Sequence, residues 1–251
     1  MSTLYGENKT DSEIREHVLN YASSVQSEKH DRFHTIMSLI PHNGGRVLDY
    51  GCGWGHFAVA IRDKGNCVEA IDLSKNEIEI CNLVWGQQID INFSCVSVGE
   101  FPDGAFDYVL SNQVIEHVHN VGHYLCGINR VLKTTGKLII SLPNIMNPRH
   151  FVAMLRNNLE DRLKQRSEQL LTGYDKTHDH INAWDAYHFT ALMASTGFRL
   201  ERYIPTEGIP LPAQLPFRSN WHLSNRRLSN LSYTMTFCFS KVKNVVLRVE
   251  D

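Results

Sequence analysis

The stretch "RVLDYGCGWGHFAVAI", Arg46 to Ile61, limits the fold more than any other part of this chain. A short apolar run meets three glycines at alternate positions and then an apolar run with helical spacing. This is a strand turning sharply into a helix, with little side-chain bulk at the bend. Beyond it, apolar segments of strand and helix character alternate. "CVEAID" is followed by "SKNEIEICNLVWG", "INFSCV" by "FDYVLSN", and "VGHYLCGINRVLKTTG" by "KLIISLPN". Such a rhythm predicts a βαβ architecture with a largely parallel sheet. Gly136 is expected to stop the helix that begins at Val121, and Gly197 to close "AWDAYHFTALMASTGF". The late strands "RLERYI" and "YTMTFCFSKVK" are expected to pair antiparallel at the sheet edge.

Three regions stand outside the rhythm. Apolar positions from Ile14 to Ile40 repeat at helical spacing and predict a helical N-terminal arm over 1–43, leaving 44–251 as the main domain. Residues 144–183 form a long, charged, partly helical insertion, and 205–230 a proline-bearing loop. Loops of this length usually serve as lids or binding elements. The six scattered cysteines contain no C-x-x-C pair, and buried free thiols are expected. Neither a signal-peptide core nor an apolar stretch of membrane-spanning length is present, so a cytoplasmic protein without a membrane span is expected. The formal charge of −2 offers no broad basic field for nucleic acid or anionic membranes. That favours a small-molecule or glycan partner.

The glycine spacing, Gly51-x-Gly53-x-Gly55 after Asp49, departs from the G-x-G-x-x-G that seats a diphosphate. An acidic strand tip repels phosphate and suits a ligand with a positive amino group. Asp72 ends the next strand, where a carboxylate can accept both hydroxyls of a ribose. S-adenosylmethionine carries both groups.

"VLDYGCGWGHFA", "AIDLS", "FPDGAFDYVLSNQVIEHV" and "LKTTGKLIISLPN", in this order and spacing, resemble the class I S-adenosylmethionine-dependent methyltransferases over about residues 45 to 145. The resemblance implies an α/β, doubly wound, Rossmann-like sheet of seven strands with the last antiparallel. It implies S-adenosylmethionine as cofactor and S-adenosylhomocysteine as product. Asp49, Gly51 and Gly53 would surround the methionine part, with Asp72 and Leu73 at ribose and adenine. Ser97 and Val98 stand where the family often has an acidic residue facing the adenine amine. Asn112 and Val114 would lie beneath the sulfonium.

A sulfonium methyl is already activated, so alignment is most of the task, and a general base assists transfer to a hydroxyl. Glu116 and His117 in "NQVIEHV" are the first candidates for catalysis, and His180 is a second base. Tyr174, His178 and Trp184 combine polar and aromatic character suited to a polyol acceptor. Small-RNA 2′-O-methyltransferases carry E-x-x-E-H and a distal histidine around a divalent ion. Here Gln113 replaces the first glutamate, and no metal is expected.

The acceptor-side region, from "SLPNIMNPRH" to "DHINAWDAYHFTALMASTGF", looks like that of methyltransferases of ubiquinone biosynthesis and surface-sugar modification. The resulting expectation is an O-methyltransferase for a small molecule or glycan, sugar favoured. An RNA ribose 2′-O-methyltransferase and a non-catalytic cofactor-binding subunit are the alternatives.

Overall fold

A computed structural model describes residues 9–27, 31–86, 90–173, 179–208 and 229–245. Most of the 205–230 loop, together with Tyr174 and His178, lies outside the described residues. The seven strands are β1 (Arg46–Tyr50), β2 (Cys67–Ile71), β3 (Ile91–Ser94), β4 (Phe106–Asn112), β5 (Leu132–Pro143), β6 (Phe198–Thr206) and β7 (Thr234–Lys241). They form one sheet in the order β3-β2-β1-β4-β5-β7-β6. Pairings from β3 through β5 are parallel, whereas β7 runs antiparallel to both β5 and β6. The strand order reverses between β1 and β4, and ligands of such sheets bind outside the strands' carboxyl ends at that reversal.

Helices α3 (His56–Asp63), α4 (Lys75–Trp85) and α5 (Val121–Val131) make the crossovers, α6 (Pro148–Asn157) and α7 (Glu160–Gly173) follow β5 in the insertion, and α8 (Ala186–Ser195) leads into β6. Two apolar layers result. Ile128, Leu138, Phe189 and Phe237 belong to one, and Val47, Phe57, Ile61 and Ile139 to the other. The arm folds as α1 (Asp11–Gln26) and α2 (Asp31–Leu39). Thr10 and Glu13 cap α1 reciprocally. Its Ile14 and Val18 are buried with Trp54 and Ile80, so the first helix packs over the glycine turn.

Two expectations need correction. Helix α5 ends at Val131 rather than at Gly136, because Leu132 already has extended backbone and pairs with Phe106. Leu132 is fully buried and its carbonyl accepts from Lys241 Nζ at 2.8 Å. Sheet pairing outweighs the helical spacing there. Among the cysteines, Cys67 and Cys95 are exposed, while the other four thiols are buried and all six are free.

Candidate functional site

The glycine turn between β1 and α3 is held from below. The amides of Gly51 and Cys52 both donate to the carbonyl of Ile71, at 2.8 and 3.0 Å. Gly51 has φ +83°, and a β-carbon there would lie 2.4 Å from Val114 Cγ2. Gly53 has φ +51° and faces open space, where a β-carbon would find nothing within 4 Å. The first glycine is needed for packing, and the second keeps a cleft clear.

Three carboxyl groups surround this turn. Asp49, at the carboxyl end of β1, is 2% exposed and its Oδ2 has no hydrogen-bond partner. Burial, followed by the charge of Asp72, pushes its pKa up to about 7. Glu77, in the first turn of α4, is likewise raised to about 7 by burial and then Asp72. Asp72 accepts from Gly53 N at 3.0 Å and from Ser74 N at 2.9 Å. Clustered carboxyls of this kind are relieved by a cationic ligand, which favours their charged forms. Leu73, beside them, is 76% exposed. An apolar side chain at the rim of a polar cleft suits a flat heterocycle. The orphaned Asp49 oxygen, the clear space over Gly53 and this exposed leucine fit an amino-acid nucleoside such as S-adenosylmethionine.

Further along the rim, Ser97 is engaged as a cap: its Oγ accepts from Gly99 N at 3.1 Å, and its own amide donates to Glu100 at 3.1 Å. Val98 is buried in the core. Asn112 ends β4 with its buried Oδ1 unpartnered. Val114 precedes the 3-10 turn Ile115–His117, reached through Gln113 at φ +57°.

That turn carries a second cluster. Glu116 is 1% exposed, and neither carboxyl oxygen has a hydrogen-bond partner. Burial raises its pKa to about 7. Its backbone carbonyl accepts from Ile181 N at 2.9 Å and Asn182 N at 3.1 Å, while Asn182 Nδ2 donates to Val118 O at 2.6 Å. The segment 179–182 is thereby fastened to the turn. Asp179 O lies 3.2 Å from His117 Nδ1, so in the neutral ring Nδ1 carries the proton and Nε2 is the basic nitrogen. The His117 and His180 rings meet edge to face, with centroids 4.7 Å apart. Glu116, His117 and His180 each offer a ligand atom, all within 4.8 Å of one another. Burial, and next the proximity of His117, lower the pKa of His180.

Long-range folding thus joins Glu116 and His117 to His180, some sixty positions on in the chain. Trp184 is placed differently: its carbonyl accepts from Ile145 N at 3.2 Å and its indole packs against Phe189. It serves the core as much as any pocket. His119 and His123 lie toward the surface.

Sequence reasoning missed Glu77, whose only local signal is its place in the first turn after a serine cap. It also missed Arg32 on α2, whose charge acts on Glu116 and His56. Arg32 pairs with Glu207 at 3.4 Å, and Asp31 accepts from the Glu207 amide. The arm is therefore tied to the end of β6, beside the cleft. Nothing local in "DRFHTIM" announces that contact.

A reversed-order sheet with an antiparallel seventh strand, a glycine turn and acidic strand tips defines the class I S-adenosylmethionine-dependent methyltransferase fold. The family model described as a methyltransferase domain matches residues 21–203, and the chain belongs to that family. Among curated relatives, it is 33% identical over 128 residues to the ubiquinone biosynthesis O-methyltransferase of Bradyrhizobium diazoefficiens, covering 50% of each chain. It is 32% identical over 136 residues to the demethylmenaquinone methyltransferase of Tropheryma whipplei strain Twist, covering 53% of this chain and 56% of that one. The chain spans about half the length of the curated relatives it matches. The solved 1,6-didemethyltoxoflavin-N1-methyltransferase of Burkholderia thailandensis, with bound S-adenosylhomocysteine, shares the fold at a TM-score of 0.53. Its sequence identity is 16%, and the match covers 92% of this chain and 88% of that one.

Proposed function

We propose that the protein methylates a hydroxyl oxygen of a small molecule, with S-adenosylmethionine as donor. The cofactor supplies a methyl group activated by its sulfonium. In this reading Asp49 takes the ammonium group, Gly51 and Gly53 admit the methionine part, and Asp72 holds the ribose. Leu73, Ser97 and Val98 border the adenine, while Asn112 and Val114 face the reacting end. His117, through Nε2, or His180 accepts the hydroxyl proton as the oxygen attacks. The lowered pKa of His180 keeps it neutral and able to do so near pH 7. Burial holds Glu116 largely protonated below about pH 7, so it shapes the pocket rather than acting as the base there.

The meeting of His117 and His180 at the end of β4 is the observation that carries this reading. The names of the relatives favour a ring hydroxyl of a quinone precursor. The polar, aromatic composition of the 174–184 segment keeps a sugar hydroxyl as the other acceptor. Turnover of labelled cofactor against a panel of dihydroxybenzene and glycan acceptors tests it. His117→Ala and His180→Ala should lower turnover more than cofactor affinity, and normal rates in both would remove the histidine base.

A second reading has the same cluster bind a divalent cation that orients the acceptor oxygen. Its support is the unpartnered Glu116 carboxyl beside two imidazoles, a set suited to zinc, manganese or cobalt more than to magnesium. Equilibrium dialysis with each cation provides a test independent of activity. No uptake by the native chain, or equal uptake by His180→Ala, rejects it.

A further inference from the structure

Helix α6 (Pro148–Asn157), which follows β5 in the insertion, buries none of its side chains. It still has an inner face: His150 Nδ1 lies 2.7 Å from Asn144 O, and its ring packs against Tyr233 at 4.8 Å. Ala153 and Met154 are half-buried beside it. The opposite face is apolar and open to solvent. Phe151 is 52% exposed, Val152 62% and Leu155 64%. Met146 before the helix and Leu159 after it lengthen this stripe, both more than half exposed. Contiguous exposed apolar side chains of this kind mark an interaction surface.

The charge pattern indicates what the surface meets. Arg149 and Arg156, two turns apart, flank the stripe and border an open depression of about 410 Å³ floored by Pro148, Val152 and Ala153. Neither guanidinium has an ion-pair partner among the described residues, whereas Arg46, Arg62 and Arg130 each have a carboxylate. Residues 144–159 contain no Asp or Glu at all. A second copy of the chain apposing the same face by twofold symmetry would bring the arginines of one α6 against those of the other, and α6 itself offers no carboxylate to pair them. An apolar stripe with arginines at its flank and no acids is instead the pattern of a helix lying in a bilayer interface. Guanidinium groups also bind phosphate well.

We propose that α6 docks the protein on anionic phospholipid bilayers, with Phe151, Val152 and Leu155 entering the acyl boundary and Arg149 and Arg156 holding headgroup phosphates. The net charge of −2 does not oppose this, because screening limits the relevant field to about 10 Å of the helix. The docking is independent of the methyl-transfer reading and is tested without turnover.

The full chain is sedimented with vesicles of phosphatidylcholine, alone or mixed with phosphatidylglycerol. Binding should favour the mixed vesicles and weaken with salt. Phe151→Ser with Leu155→Ser should abolish pelleting on both. Arg149→Gln with Arg156→Gln should cost about 10- to 30-fold on the anionic vesicles, at roughly 1 kcal/mol per basic residue. Unchanged binding of S-adenosylhomocysteine by each variant would certify the fold. If the native chain ignores both vesicle types, or if the apolar variant pellets normally, the proposal fails. It also fails if sedimentation velocity shows a dimer that the apolar variant dissolves.

Discussion

Replacing Gly53 with alanine separates the cofactor cleft from the fold. At φ +51° an L residue is strained by about 1–2 kcal/mol, partly offset by the reduced freedom of the unfolded chain. No atom lies within 4 Å of the new methyl group, so no clash adds to this. The net loss is about 1 kcal/mol, or roughly 2–4 °C in Tm for a chain of this size. The methyl would instead occupy space assigned to the methionine part of the cofactor, where overpacking costs about 1–3 kcal/mol. Affinity for S-adenosylhomocysteine should fall about 10- to 100-fold. Gly51→Ala provides the contrast, because its β-carbon would sit 2.4 Å from Val114 Cγ2. Strain and overpacking together should then cost about 2–5 kcal/mol of stability. Thermal melts and calorimetry read both quantities. Undiminished affinity in a folded Gly53→Ala protein would refute the placement of the cofactor over this turn.

Other outcomes follow from the carboxyl groups. Asp72→Asn should weaken S-adenosylhomocysteine binding in calorimetry while the chain stays folded; it is a better probe than alanine, since Asp72 also ties down the amides of Gly53 and Ser74. Unchanged affinity would dismiss the ribose contact. Because Asp49 titrates near 7, cofactor affinity should decline as pH falls from about 8 to 6, and Asp49→Asn should flatten that decline. An identical pH profile in the variant would discount the ammonium contact. For Glu116 the folded pKa, about 7, lies above the ordinary glutamate value of 4.5, so folding takes up a proton. Its contribution is fully present below pH 4.5 and is lost as pH rises through 7. Glu116→Gln should therefore gain about 3 kcal/mol on the native protein between pH 4.5 and 8, from about 1.4 kcal/mol per pKa unit. Parallel plots of unfolding free energy against pH for the two proteins, each point from a urea melt, would rule this out.

Local pattern carries far in this chain because the decisive features are short. The turn from β1 into α3 is written in consecutive residues, Asp49 to Gly55, among which Gly51, Gly53 and Gly55 have positive φ that few other residues tolerate. The same holds for the acidic tips of β1 and β2, each the end of an apolar run. The end of α5 is where local pattern misleads: Val131 and Leu132 continue its helical spacing, and only pairing with Phe106 in β4 draws Leu132 into the sheet. Sheet-edge order shows a similar division. That β7 is antiparallel follows from the family resemblance, whereas its position between β5 and β6 is a matter of contact.

The α/β class, the cofactor turn and the chemical groups available can all be read along the chain, because periodicity and glycine spacing are properties of neighbouring residues. Which groups meet is settled by packing: His180 against His117, Glu77 and Asp49 each near Asp72, Arg32 near Glu116, and the arginines of α6 without ion-pair partners among the described residues. Those relations depend on burial and on contacts between segments far apart in the chain. Burial is also what turns ordinary carboxyls into groups that titrate near neutrality, because desolvation penalises charge and no linear pattern records it.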